Sequence, residues 1–167
     1  MTSKLYTLDG DIIDFHELYE NKPFFRKTTN SLVELQIYRM LFNHNNDNIV
    51  KVYRIGHNYV DIELLLPIVN NKNSVEIKKI MTDVKNYLQN VGIIYIDWKL
   101  DNIGITKNNI YKLYDFDASG IINLNTHEWI KSPAIYYSYY QAIHAGLTSP
   151  IEIDNFIFDL ENTFTVI

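Results

Sequence analysis

The fold of this chain is decided by the stretch Tyr95-Ile96-Asp97-Trp98-Lys99-Leu100-Asp101-Asn102, followed thirteen residues later by Asp115-Phe116-Asp117. An apolar run, 93–96, leads into the first stretch, and segments 103–106 and 110–114 flank a Lys-Asn-Asn turn between the two. This pattern predicts a buried strand, a loop, a short β-hairpin and a second loop. The hairpin would return the chain so that the charged side chains of both loops meet.

The charged and amide side chains of these loops suit Mg²⁺ and phosphate. Mg²⁺ prefers hard oxygen ligands, which Asp115 and the amide oxygen of Asn102 can supply. Asp97 follows the predicted strand, where its carboxylate can face a cleft, and Lys99 projects toward the same side. Phosphoryl transfer needs an acid near the attacking hydroxyl and a cation against the developing charge. We therefore expect phosphoryl transfer from ATP.

Together the two stretches resemble the catalytic loop and the metal loop of the protein-kinase-like superfamily, in a minimal form with an atypical Asp-Phe-Asp metal loop. The resemblance implies Asp97 as the catalytic base and Lys99 as a γ-phosphate contact. It implies Asn102 and Asp115 as Mg²⁺ ligands. The alternative is a surface loop with solvated acids, but four chemical types at the family's spacing favour the catalytic interpretation.

Three positions depart from the family pattern. Tyr95 stands where the family usually has His, and either side chain can brace the metal loop. Ile96 replaces the Arg that reads a phosphorylated activation loop, so control by that route is not expected. Asp117 replaces a Gly, as in some atypical and small-molecule kinases, and a non-Gly residue disfavours positive φ.

The resemblance extends upstream to residues that would hold the nucleotide phosphates. It implies that Lys27 contacts the α- and β-phosphates and that Glu34 pairs with it, with Arg26 as an alternate cation. Ser31 and Glu34 also form the pattern of a capping box, which would need no catalytic partner for the glutamate. Both interpretations of Glu34 stay open in the sequence.

The resemblance also implies an adenine site in segment 59–67. Ile62 would be the gatekeeper, and backbone groups of Glu63 and Leu65 would contact adenine; a plain edge hairpin explains the same residues. The family's glycine-rich phosphate loop is missing, since Gly10 is the one glycine before residue 56. Nucleotide binding would then depend on Mg²⁺ and Lys27.

The order of elements predicts an α+β fold. We expect strands within 4–13 and at 23–27, 49–55, 59–66, 93–96, 103–106 and 110–114, helices at 31–44, 74–91, 135–145 and 152–163, and a loop at 118–134. The resemblance implies two lobes: a β-rich N-lobe, 1–66, with one helix, a hinge, 67–73, and a truncated, mainly helical C-lobe, 74–167, which holds catalytic loop 95–102 and metal loop 115–117. Asp154, or Asp159 as the alternate, would anchor the catalytic-loop backbone.

The composition argues against several other classes of protein. The chain has 167 residues, 47% of them hydrophobic, no cysteine and a net charge of −5. Nucleic-acid binding needs clustered Lys and Arg, so it is not expected. The sequence contains no apolar run of the length that a membrane span or a signal peptide needs. We therefore expect a cytoplasmic protein. Abundant Asn, Ile, Lys and Tyr suggest an AT-rich genome, viral or microbial.

These observations predict an ATP- and Mg²⁺-dependent phosphotransferase, most simply a minimal Ser/Thr protein kinase acting on a protein substrate. One alternative is a small-molecule kinase of the aminoglycoside or choline type, favoured by Asp-Phe-Asp and the short C-lobe. Another is a non-catalytic kinase mimic that binds a partner kinase, favoured by the absent glycine loop. Lys99, two residues after the base, favours the protein kinase.

Overall fold

The computed structural model describes residues 2–19, 21–69, 73–134, 137–160 and 163–165. Within these ranges the fold is α+β, as the sequence predicts. The strands are β1 (Thr2–Tyr6), β2 (Ile12–His16), β3 (Phe24–Thr28), β4 (Val52–Ile55), β5 (Tyr59–Glu63), β6 (Leu66–Pro67), β7 (Ile93–Ile94), β8 (Ile103–Ile105), β9 (Tyr111–Leu113), β10 (Gly120–Ile122) and β11 (Trp129–Lys131). The α-helices are α1 (Leu32–Leu41), α2 (Ser74–Asn90), α3 (Tyr137–His144) and α4 (Pro150–Phe158).

The N-terminal part of the chain forms a five-stranded antiparallel sheet in the order β1-β2-β4-β5-β3. β3 lies at one edge of this sheet and pairs with β5 along its full length, from Phe24 opposite Glu63 to Thr28 opposite Tyr59. α1 packs against β4 and β5. It places Leu35, Ile37 and Leu41 in the core.

The rest of the chain contains the other helices and two small three-stranded sheets, β6-β8-β9 and β11-β10-β7. α2 buries the face formed by Ile77, Met81, Val84 and Leu88. Gly92 follows this helix with φ of 90°, which glycine adopts without steric cost. α2 and α4 both pack against β7, the strand that leads into the loop 95–102.

Backbone hydrogen bonds join the first sheet to β9. The amide of Val50 donates to the carbonyl of Leu113 at 2.9 Å, and the amide of Leu113 donates to the carbonyl of Asn48 at 2.9 Å. A buried ion pair between Lys112 and Glu63, 2.7 Å apart, lies beside this ladder. The end of β9, which delivers Asp115, is therefore fixed against the sheet that carries Lys27.

An aromatic column runs through the core beneath the two loops. Phe116 packs edge-on against Tyr38 of α1 and Tyr95, with centroid distances of 5.5 and 5.2 Å. The column continues from Tyr95 to Trp98 at 4.6 Å and from Trp98 to Phe158 of α4 at 5.0 Å. This packing fixes the spacing of the two loops through contacts between large, fully buried rings.

Several predicted bounds were wrong. The region 118–134, expected to be a loop, contains β10 and β11, because β10 finds a partner in β7. The strand expected at 93–96 ends at Ile94, since Ile96 has φ of 69° and cannot continue an extended strand. α1 ends at Leu41 rather than near His44, and α4 spans Pro150–Phe158 rather than 152–163. The strand expected at 49–55 begins at Val52.

Other expectations fall on residues that are not described. Residues 70–72 of the expected hinge and residues 135–136 of the expected tyrosine-rich helix lie outside the described ranges. In the part of the chain that is described, no helix is long and apolar enough to cross a membrane.

Candidate functional site

Lys27 of β3 lies between two carboxylates. Its Nζ is 2.7 Å from Oε2 of Glu34 and 2.7 Å from Oδ1 of Asp115. Glu34 is in the first turn of α1 and fully buried, whereas Asp115 follows β9 and is partly exposed. The structure thus brings three of the predicted site residues together from three separate elements.

The two interpretations of Glu34 are resolved by its side-chain contacts. The Ser31 hydroxyl accepts a hydrogen bond from the Glu34 amide at 3.2 Å, which is one half of a capping box. The other half is absent, because the Ser31 amide donates to the Thr29 hydroxyl instead. The Glu34 carboxylate is directed to Lys27.

Arg26, the alternate cation, makes a different contact. Its guanidinium donates two hydrogen bonds to Asp61, of 2.7 and 2.9 Å, and stacks over the Tyr59 ring. Alternation along a strand places neighbouring side chains on opposite faces, so Arg26 and Lys27 cannot both face the same site. Lys27 is the cation that lies beside Asp115.

The charges in this cluster stabilise one another. Burial disfavours the ammonium of Lys27, but hydrogen bonds to Asp115 and Glu34 outweigh it and raise the pKa of Lys27. Burial would likewise raise the pKa of Asp115, but Lys27 and the amide of Asp117 lower it overall. At neutral pH the site therefore contains a lysine cation and an ionised Asp115.

Asp97 and Asn102 form the second half of the site. The Asn102 side-chain amide donates to the backbone carbonyl and to Oδ2 of Asp97, both at 2.9 Å. Both acceptors are oxygens, so the NH₂ group must face Asp97 and the amide oxygen must point away from it. Nζ of Lys99 lies 3.3 Å from Oδ2 of Asp97. Burial lowers the pKa of Lys99, but the charge of Asp97 outweighs it and the net pKa is raised.

Asp154 of α4 fixes the backbone that carries Asp97. It is 1% exposed, and its Oδ1 accepts from the Ile96 amide at 3.0 Å and from the Trp98 indole at 2.7 Å. These bonds stabilise Ile96 in its left-handed conformation, which costs a β-branched residue energy. Asp154 is therefore the anchor, and the alternate, Asp159, is not.

Trp98 has a structural role that the sequence did not predict. Its indole donates to a carboxylate on α4, 56 residues away in the chain. No local pattern identifies such a contact, because the partner approaches only when α4 packs beneath the loop. Tyr95, in contrast, contacts the start of the second loop as expected: its hydroxyl donates to the carbonyl of Tyr114, next to Asp115, at 2.6 Å.

Asp117 lies beside Asp115 at the mouth of the site. Burial and the charge of Asp115 raise the pKa of Asp117 to about 6. Its Oδ2 is 4.0 Å from Nζ of Lys27. With Glu34, three carboxylates surround one lysine and leave the site with an excess of negative charge, which a cation would relieve.

The donor set fits Mg²⁺. The oxygen of the Asn102 amide points away from Asp97, and Asp115 has a second carboxylate oxygen besides the one that Lys27 contacts. Both are hard oxygen ligands. Among the described residues, no three side chains of the His, Cys, Asp and Glu type come close enough to hold a metal by themselves. A cation here would take the rest of its ligands from water and phosphate, as Mg²⁺ commonly does.

A cavity of about 190 Å³ adjoins the cluster. It is lined by Phe25, Ile62, Glu63, Leu64, Leu65 and Tyr114. These residues include the three assigned by resemblance to an adenine site. The Glu63 amide already donates to the carbonyl of Lys51, and its carboxylate accepts from Lys112.

The site is open above Lys27. β3 is an edge strand, and the β1–β2 hairpin joins the sheet through β4, at the opposite side. Three strand spacings separate β2 from β3, or about 14 Å at ordinary sheet geometry. The hairpin that precedes Lys27 therefore cannot cover a phosphate bound beside it.

Comparison with known proteins adds one partial match. No protein-family model matches the chain. The nitrogen permease reactivator protein of Saccharomyces cerevisiae is 34% identical over 85 residues, which is 48% of this chain and 10% of the yeast protein. The matched region is about a tenth of that protein's length, so the yeast protein's role is not transferred to this chain.

Proposed function

We propose that this chain is an ATP- and Mg²⁺-dependent phosphotransferase of the protein-kinase-like superfamily, with a protein hydroxyl as acceptor. The observation that carries the proposal is the contact of Lys27 with both Glu34 and Asp115, the latter 88 residues away. These two contacts join α1 to the loop after β9 through Lys27, and the lysine side chain is still 24% exposed, so a phosphate can reach its ammonium group. The cavity beside it supports a nucleotide base at that position.

On this proposal the two halves of the site have different tasks. Lys27, oriented by Glu34, binds the nucleotide phosphates. Asp115 and the amide oxygen of Asn102 hold Mg²⁺, which when bound neutralises charge on the phosphate oxygens. The five-stranded sheet with α1 would be the N-lobe, and the remainder from α2 onward a truncated C-lobe.

Asp97 and Lys99 act on the acceptor side. The Asp97 carboxylate, oriented by the Asn102 amide, accepts the proton of the attacking hydroxyl. Lys99 contacts the transferred phosphoryl group and offsets its developing charge. Asp154 positions both residues by accepting hydrogen bonds from the Ile96 backbone amide and the Trp98 indole, on either side of Asp97.

A small-molecule acceptor is the second candidate, and the size of one cleft favours it. A cleft of about 550 Å³ opens beside Lys99 and Asp101, between the catalytic loop and α4, with Pro67 and Ile68 on its far wall. This volume is typical of pockets for small ligands. The acceptor therefore has to be identified by experiment rather than by family analogy.

The test is transfer of the γ-phosphoryl group from labelled ATP with Mg²⁺, with a generic basic protein in one arm and a library of small hydroxyl compounds in the other. Asp97→Asn and Asp115→Asn should each lower transfer by about 100-fold or more. Asp83→Asn is the matched control, since it removes an exposed acid on α2 that lines neither cavity and should keep near-normal activity. Transfer that survives both site substitutions would refute the assigned site.

A negative result in the phosphotransfer assay would favour a non-catalytic function. The uncovered edge at β3 is the feature that favours a non-catalytic mimic binding a partner kinase. If wild-type protein transfers nothing and Mg²⁺–ATP gives no thermal shift, phosphotransfer is wrong and the mimic is favoured. Ligand at 100 times its Kd adds about 2.7 kcal/mol of stability, so such a shift is readily measured.

A further inference from the structure

Another cavity lies apart from the Lys27 cluster, near the ends of β2 and α1. Its volume is about 170 Å³, and it is lined by His16, Leu18, Lys22, Asn43, His44, Lys51, Val52 and Tyr53. Lys22 lies just before β3, Asn43 just after α1, and Lys51 just before β4. The cavity is thus formed where the ends of several elements meet.

The lining of this cavity is cationic. It includes two lysines and two histidines but no carboxylate. Within the described ranges neither Lys22 nor Lys51 takes part in an ion pair. This concentration of positive charge is unusual in a chain whose net charge is −5.

The direction of the pKa shift of His16 is consistent with positive charge around the cavity. Burial lowers the pKa of His16, and several positive charges, among them those of Lys22 and Lys51, lower it further, against an opposing effect of Glu17. An anion placed among these groups would relieve their mutual repulsion. Unpaired cations around a concave site attract anions for the same reason.

His44 lines the cavity, but its ring nitrogens are not available to bind a ligand. Its Nδ1 accepts a hydrogen bond from the Asn46 amide at 3.1 Å, so its Nε2 carries the proton and donates to the Val50 carbonyl at 2.8 Å. Both ring nitrogens are therefore occupied. The polar groups left to contact a ligand include those of Lys22, Lys51, His16, the Asn43 amide and the Tyr53 hydroxyl.

We propose that this cavity binds a phosphate group, free or carried on a phosphorylated side chain, through Lys22, Lys51 and His16. The volume equals that of about five or six liquid waters, which is enough for a phosphate with some hydration. Two ammonium groups supply charge-assisted donors to its oxygens, and the imidazole of His16 adds a ring N–H donor. The site is independent of the proposed phosphotransfer, because binding needs neither ATP nor Asp97.

The test follows the His16 ring signals by NMR while inorganic phosphate is added at constant ionic strength set with chloride. Saturable shifts at His16, and a rise in its pKa at saturation, are expected. Lys22→Gln combined with Lys51→Gln should weaken binding by at least about tenfold, or about 1.4 kcal/mol. The matched control is Lys107→Gln with Lys131→Gln, which removes the same charge at exposed positions away from the cavity and should change binding less than twofold.

Two outcomes would overturn the proposal. The first is the absence of a saturable shift at His16, and the second is equal weakening by the two double variants, which would mean nonspecific charge attraction. A phosphoserine peptide and its unphosphorylated form separate the possible sources. If the phosphopeptide binds more tightly than inorganic phosphate, the ligand is a phosphorylated chain; if it binds equally or more weakly, the ligand is a free phosphate.

Discussion

Replacement of Asp154 tests how the catalytic loop is held. Asp154→Ala removes the acceptor for the Ile96 amide and the Trp98 indole, two donors that are buried. It also removes the acceptor for the Gln89 amide at 2.9 Å. Asp154→Asn is the matched substitution, because an amide keeps one oxygen that can accept from both Ile96 and Trp98.

The magnitude follows from those contacts. A buried donor left without an acceptor costs about 1–3 kcal/mol, so two of them cost about 2–6 kcal/mol. The net loss of stability is smaller than this sum, because burial of the Asp154 carboxyl disfavours its ionised form and raises its pKa. We expect Asp154→Ala to lower the free energy of unfolding by about 3 kcal/mol and Asp154→Asn by less than about 1 kcal/mol.

Denaturant unfolding at pH 7 measures the free-energy change, and the NMR signal of the Trp98 indole N–H reports the local contact. In Asp154→Ala this signal should move and exchange faster with solvent, while in Asp154→Asn it stays protected. The reasoning is refuted if the alanine variant unfolds within about 0.5 kcal/mol of wild type. It is equally refuted if both variants lose the same stability, since that would exclude the shared oxygen as the anchor.

Three further predictions concern charge and packing. Because the pKa of Asp117 is raised to about 6, ionisation of this one group disfavours the folded state as pH rises from 3.8 to 6. In thermal melts, any gain from Asp117→Asn over wild type should be absent near pH 4, grow to about pH 6 and then stay constant. Glu34→Gln replaces a charged partner of Lys27 with a neutral one and should cost about 1 kcal/mol in denaturant unfolding. Gly120→Ala would place a Cβ 2.7 Å from a backbone carbonyl of β11 and should cost about 1–3 kcal/mol by the same assay.

Each of these predictions can fail in a recognisable way. A pH-independent effect of Asp117→Asn would mean that Asp117 does not titrate with a raised pKa. Unchanged stability in Glu34→Gln would mean that Asp115 alone satisfies the Lys27 ammonium. A neutral Gly120→Ala would show that β11 can move away from β10, and the approach of the two strands would not be tight.

The sequence predicted the elements whose signals are local. Ser31 caps α1 and Gly92 follows α2, and the hairpin between the two loops forms where its turn residues indicate. These features depend on capping, helical periodicity and turn conformation, which neighbouring residues determine. The spacing within 95–102 and 115–117 is also local, so the grouping of Asp97, Lys99 and Asn102 was predictable.

Tertiary contacts decided what the sequence left open. The choice of Glu34 between a capping box and Lys27 depended on where β3 places its lysine, and the choice between Asp154 and Asp159 depended on how α4 packs. The order of the first sheet, which leaves β3 at an edge, and the pairing of β10 with β7 were not predictable either. In each case the deciding partner is distant in sequence. The sequence alone therefore identified the kinds of side chain in the candidate site, and tertiary packing determined which of these side chains contact one another.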